Sequence, residues 1–153
     1  MKTAGDTIRE YENIPMEGIL RKDGSFFYVT VPKEFGEAVY KAIEEEGMQR
    51  PEDTPHISVF LKDETEGKSI SEVGQKFQFE VDGIESCNPD DWDEMEKVWF
   101  VKCKSPQLEG LRKKHGLTPL IHGNHNFHIT IAVKPAIKKV ARELIRIAHE
   151  LIR

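Results

Sequence analysis

His56-Ile57-Ser58-Val59-Phe60-Leu61-Lys62 and His128-Ile129-Thr130-Ile131-Ala132-Val133-Lys134 are two versions of one heptapeptide. Aligned without a gap, His, Ile and Lys recur unchanged, and Ser/Thr, Val/Ile and Leu/Val are close exchanges. β-Branched and aromatic residues dominate both, so each reads as a strand. Strand alternation puts His56, Ser58, Phe60 and Lys62 on one face and Ile57, Val59 and Leu61 on the other. In the second copy His128, Thr130, Ala132 and Lys134 oppose Ile129, Ile131 and Val133 by the same rule. The apolar faces need a core. The faces carrying histidine and hydroxyl must turn elsewhere, and a cleft between two halves of the chain is the natural place.

The flanks repeat as well. "SFFYVTVP" (25–32) reads as a strand ending at a proline. "PKEFGEAVYKAIEEEG" (32–47) spaces Phe35, Val39 and Ile43 as a helix, opened by Pro32 and closed by Gly47. The first heptapeptide then completes a β-α-β unit. In the second half, "VWFVKCK" (98–104) is a strand and "SPQLEGLRKKHG" (105–116) a helix with Ser as N-cap, Pro at N1 and a Gly stop. "NFHITIAVK" closes that unit. Between them, "DETEGKSISEVGQ" (63–75) allows at most one short turn, and "KFQFEVDGI" (76–84) alternates as a half-buried strand. "ESCNPDDWDEMEK" (85–97) reads as an acidic loop, residues 1–24 as a polar lead-in. The last helix (135–153) lines up Ile137, Val140, Leu144, Ile147, Ala148 and Leu151 as an apolar stripe for the core. Neither half can bury its own sheet face well, so residues 1–153 are expected to form a single bilobal domain, with lobes at roughly 18–75 and 76–153.

The totals narrow the function classes. Hydrophobic residues at 38% and charged ones at 32% fit a globular protein with a well-charged surface. A net charge of −5 argues against a broad basic surface for long duplex nucleic acid, but leaves room for a small anionic ligand in a local pocket. Cys87 and Cys103 form neither a disulfide framework nor a metal-spaced array. No apolar leader or membrane-spanning stretch is evident, so the cytoplasm is expected, or a host cytoplasm for a viral chain.

Two imidazoles and two hydroxyls brought to one small volume suit acid–base chemistry at phosphorus. Histidine titrates near neutrality, so one imidazole can accept a proton while the other, protonated, donates one. Ser58 and Thr130 can donate to non-bridging phosphate oxygens where charge develops. An imidazolium supplies further electrostatic stabilisation, and neither metal nor cofactor is required.

The paired H-I-[ST]-[VI] strands, late in each β-α-β unit, resemble the signature of the 2H phosphoesterase superfamily, two H-Φ-[ST]-Φ motifs with Φ apolar. The resemblance covers roughly residues 18–150, taking in "FQFEVDGI" and "KVWFVKC…LEGLRKKHG". It implies an α+β fold of two pseudo-symmetric β-α-β lobes with antiparallel sheets around a central cleft. It also implies catalytic His56 and His128, with phosphate held by Ser58 and Thr130. Members act on 2′,3′-cyclic phosphates of RNA ends, on related cyclic nucleotides or, in some compact phage proteins, on cyclic oligonucleotide signals. A small nucleotide or an RNA end is therefore the expected partner, not a membrane or long duplex. The segment at 63–75 is shorter, and the acidic loop longer, than in many relatives. A non-catalytic nucleotide-binding module is the rival of another class.

Other residues carry weaker signals. Tyr28, with Phe26 and Thr30 on one strand face, is placed to line the cleft and stack on a base, or to pack in the core. Trp92 is either an aromatic cover for a nucleobase or an anchor for the acidic loop. Asn126 shares the His128 face by parity and is a candidate substrate contact. His122, His125 and His128 recur at three-residue intervals, yet an extended segment turns His125 away from His128, against a metal site. Lys62 and Lys134 end their strands symmetrically, as phosphate attractors or solvated strand ends. Trp99 reads as a core residue.

Overall fold

The computed structural model describes residues 2–88 and 95–152, with backbone only for 137–143 and 152. Its elements are α1 (Ala4–Tyr11), β1 (Met16–Asp23), β2 (Phe26–Thr30), α2 (Lys33–Ile43), β3 (His56–Phe60), β4 (Lys76–Cys87), β5 (Met95–Lys104), α3 (Pro106–Lys114), β6 (Phe127–Pro135) and α4 (Ile137–Ile152). One 3-10 turn, Lys62–Glu64, follows β3. The fold is α+β. Every strand pairs antiparallel in the order β1-β2-β3-β6-β5-β4, and β4 returns to β1 to close the sheet. The repeat is therefore β-β-α-β. β1, β2, α2 and β3 correspond to β4, β5, α3 and β6, and the motif strands β3 and β6 meet at Ile57 opposite Ile129.

Two elements lie inside the expected polar lead-in. α1 is started by a capping box in which the Thr3 hydroxyl accepts from the Asp6 amide and the Asp6 carboxylate accepts from the Thr3 amide. β1 buries Met16, Gly18 and Leu20 between Glu17, Ile19 and Arg21. A glycine on the buried side and an isoleucine on the outer side blunt that alternation. Gly18 is required by close approach, since a Cβ there would stand 1.8 Å from the Thr30 carbonyl oxygen. The acidic loop is also shorter than expected: β4 continues to Cys87 and β5 begins at Met95. α2 ends at Ile43, where Glu44 takes the left-handed conformation (φ 45°), so Gly47 serves the following turn and not the helix end. α3 follows its sequence signals, with the Ser105 hydroxyl accepting from the Leu108 amide at 3.2 Å.

The core lies between the apolar sheet face and helices α1–α3. Leu20, Val29, Ile57, Val59, Val101 and Ile129 are wholly inaccessible, each worth about 1.5–3 kcal/mol of burial. Trp99 is buried as expected. Both cysteines are free, and burial pushes the Cys103 thiol up to about 12. The last helix forms, but the described part of its stripe does not join the core: Leu144, Ile147 and Leu151 are 62%, 44% and 81% exposed. An amphipathic pattern sets which face is apolar, not whether the helix finds a surface to cover. No described helix is long and apolar enough to cross a membrane.

Two buried polar clusters tie α3 to the segment after β3. Arg112, with no exposed surface, donates to the carbonyls of Val59 (2.7 Å) and Thr118 (2.8 Å) and to both Glu64 oxygens (2.9 and 2.6 Å). Its hydrogen bonds hold the Glu64 carboxyl below the ordinary carboxylate value against the opposing effect of burial. Nearby, Glu72 accepts from Lys114 (2.8 Å) and His115 (3.0 Å). The Lys114 bond is the main force lowering Glu72 from 4.5 to about 2. A carboxyl depressed on folding stabilises above its unfolded pKa and loses that contribution as pH falls through the folded one. Wild type should therefore lose this stability between about pH 4.5 and 2, while Glu72→Gln, lower by roughly 2 kcal/mol at neutral pH, should lack that acid-dependent step. Acid titration followed by circular dichroism reads the difference; parallel curves would contradict it.

Candidate active site

The two heptapeptides share a structural irregularity as well as a sequence. In β3, Ser58 pairs with Tyr28 but Phe60 pairs with Phe27, so Val59 is an extra residue in the ladder. In β6, Thr130 pairs with Phe100 but Ala132 pairs with Trp99, so Ile131 is extra. Each motif strand thus bulges one residue after its hydroxyl. The bulge corrects the simple alternation: Phe60 and Ala132 do not share the histidine face but are completely buried. His56 with Ser58, and His128 with Thr130, keep theirs. The bulge confines the polar face to the histidine and the hydroxyl and returns the strand to the core beyond them.

Antiparallel pairing of Ile57 with Ile129 sets the site. One step outward in each direction puts His56 beside Thr130 and Ser58 beside His128. The histidines are then diagonal neighbours, with a Cα separation of about 7–8 Å in a regular ladder. Ser58 and Thr130 are partly exposed, and neither hydroxyl has a hydrogen-bond partner among the described residues.

Both imidazoles are held in the same way. His56 Nδ1 lies 2.8 Å from the Thr54 carbonyl oxygen, and His128 Nδ1 lies 3.4 Å from that of Asn126. A carbonyl only accepts, so Nδ1 carries the proton in each ring and Nε2 is left for proton transfer. Aromatic rings brace both histidines edge-on, Tyr28 at 5.4 Å and Phe26 at 5.8 Å from His56, and Phe100 at 5.7 Å from His128. Burial lowers the His128 pKa below the ordinary 6.5, partly opposed by the Asn126 bond, and the charges of His125 and His56 push it the same way as burial. The two motif histidines therefore sense each other electrostatically.

The weaker candidates resolve unevenly. Tyr28 lies on the histidine face, and Asn126 lines a cavity with His128 and Thr130. His125 lines that cavity too, contrary to the parity expectation, because residues 121–126 form a turn closed by an Ile121–His125 bridge. His122 and His125 stack edge-on at 5.4 Å. Among the described residues no three His, Cys, Asp or Glu side chains gather as a metal site. Lys134 turns to Glu96 (3.5 Å) and Glu45 (3.8 Å), and Lys62 belongs to the 3-10 turn, so the two are not symmetric strand ends. Trp92 lies outside the described residues. Phe100 was not singled out from sequence, yet "FFYVTV" aligns with "VWFVKC" at the same offset as the heptapeptides, which places Phe100 where the first copy has Tyr28.

Paired histidines, each followed by a core residue and a hydroxyl, thus stand on matching strands of a β-β-α-β repeat. Residues 18–137 match the family model described as 2H-SAK, Swiss Army Knife, 2H phosphoesterase domain. The chain belongs to the 2H phosphoesterases. No curated protein and no solved structure matches it.

Proposed function

We propose that the protein is a metal-independent phosphodiesterase that opens cyclic phosphates, such as the 2′,3′-cyclic ends of RNA or related small nucleotides, by two-histidine acid–base catalysis. The carrying observation is the matched Nδ1–carbonyl bond on His56 and His128, which frees both Nε2 atoms on one face. A water attacks phosphorus as one Nε2 takes its proton. The bond from phosphorus to a ribose oxygen breaks, and the other imidazolium delivers a proton to that oxygen. The product is a ring-opened phosphomonoester. Burial favours the neutral form of His128, so we assign it the base and His56 the acid for this direction of attack. Ser58 and Thr130 donate to the non-bridging oxygens as charge builds. Two imidazoles anchored in one tautomer favour this reading over a binding module, since binding alone needs no proton acceptor.

The test is turnover in EDTA of 2′,3′-cyclic mononucleotides, an RNA with a cyclic phosphate end, and 3′,5′-linked cyclic di- and trinucleotides. At least one should be cleaved at the wild-type rate seen without chelator. Ser58→Ala and Thr130→Ala should each lower kcat by about 10²–10³ with little change in KM. No cleavage of any of them by folded protein would sink the proposal, and so would full inhibition by EDTA.

A further inference from the structure

The repeat is matched in backbone and mismatched in charge. On the histidine face Tyr28 is flanked by Arg21 of β1, and its counterpart Phe100 is flanked by Glu85 of β4. Thr30 opposite His56 corresponds to Lys102 opposite His128. In the second half the two charges cancel, Lys102 Nζ lying 2.9 Å from Glu85. In the first half no carboxylate answers Arg21, which has no ion-pair or hydrogen-bond partner among the described residues. Among the described residues the His56 side of the cleft therefore carries a guanidinium with no ion-pair partner.

That side also opens into a cavity of about 490 Å³ formed by β2, α2 and the 50–55 loop. Tyr28 and Thr54 line it, and these are the residues whose ring and carbonyl hold His56. Arg21 and Lys33 stand among its walls with Glu52 and Asp53, neither of which is bonded to Arg21. Tyr40 offers a second aromatic ring, and Arg50 lies 4.3 Å over it while bonded to Glu37 at 2.7 and 3.0 Å. A volume in the small-ligand range, aromatic faces and an unpaired guanidinium are what a base and an attached phosphate require.

We infer that this cavity is a nucleotide subsite, which takes a second, phosphate-bearing nucleotide of the substrate beside the His56 end of the catalytic cleft, with Arg21 on its phosphate. The inference rests on the phosphodiesterase reading and narrows it: the preferred substrate has at least two nucleotides, linear or cyclic, and a cyclic mononucleotide fills only part of the site.

The experiment compares kcat/KM for adenosine 2′,3′-cyclic phosphate with that for adenylyl-adenosine carrying a terminal 2′,3′-cyclic phosphate, in wild type, Arg21→Gln and Arg21→Glu. Wild type should prefer the dinucleotide, and the preference should fall by about tenfold or more in Arg21→Gln and further in Arg21→Glu. Equal preference in all three, with turnover retained, overturns the subsite and leaves the phosphodiesterase reading standing. If neither compound is cleaved, calorimetry with uncyclised adenylyl-adenosine decides the subsite alone. Binding weakened by the Arg21 variants supports it, and binding that is absent or indifferent to them overturns it.

Discussion

His56→Ala and His128→Ala should each reduce kcat on the best cyclic phosphate by about 10²–10⁴ while the protein still folds, because both side chains lie on the accessible sheet face and outside the core. The double variant should be little worse than either single one, since a proton removed without a proton delivered leaves the ring bond unbroken. The wild-type pH profile should be a bell, whose acid limb reports the group that must be neutral. With His128 in that role, the limb falls below pH 6.5, the ordinary histidine value from which burial lowers it. The apparent values belong to the coupled pair. Single-turnover kinetics across pH make the measurement. Undiminished turnover in either single variant would remove that histidine from the mechanism, and an acid limb above 6.5 would reverse the assignment of base and acid.

The second large effect is structural. Arg112→Met removes a buried guanidinium that satisfies two carbonyls and a carboxylate at once. Glu64, 17% exposed, is left without its counter-charge, and the carbonyl of the bulged Val59 loses the donor from Arg112. Breaking one side of a buried ion pair costs about 3–5 kcal/mol, which for a chain of this length lowers Tm by roughly 10 °C. Arg112→Lys keeps the charge but lacks the planar fork, so it should recover only a minority of the loss. Chemical denaturation of the three proteins reads this directly. A loss under about 1 kcal/mol for Arg112→Met would show that the cluster is not holding β3. Val59 sits between Ser58 and Phe60, so the same variant should also disturb the Ser58 hydroxyl, seen as a fall in kcat below the unfolding range.

Much of the site was legible in the chain. The heptapeptides named His56, Ser58, His128 and Thr130, and strand parity put each histidine with its hydroxyl, because the period of two holds over three residues. It failed at the fifth, beyond the bulged residue. A bulge depends on the partner strand's register, which local sequence does not record, so Phe60 and Ala132 were put on the wrong face. His125 was misjudged for a related reason: the chain from 121 to 126 is a turn, so its side chains follow no strand period. α1 and β1 were hidden by polar composition, though Thr3 and Asp6 carry a capping signature and β1 is the partner that β4's place in the repeat requires.

By itself, then, the sequence determined the class of fold, the duplication, the four catalytic candidates and the apolar faces that bury Ile57 and Ile129. These follow from residue type and spacing, which act over a few neighbours. Only the tertiary structure decided that β3 and β6 lie side by side, so that each histidine stands beside the other motif's hydroxyl. It alone brought Arg112 across to Val59, left Leu144 and Leu151 uncovered, and set Arg21 against the Glu85–Lys102 pair. Those outcomes depend on contacts between residues far apart in the chain, where register and closure of the sheet, and no local preference, choose the neighbour.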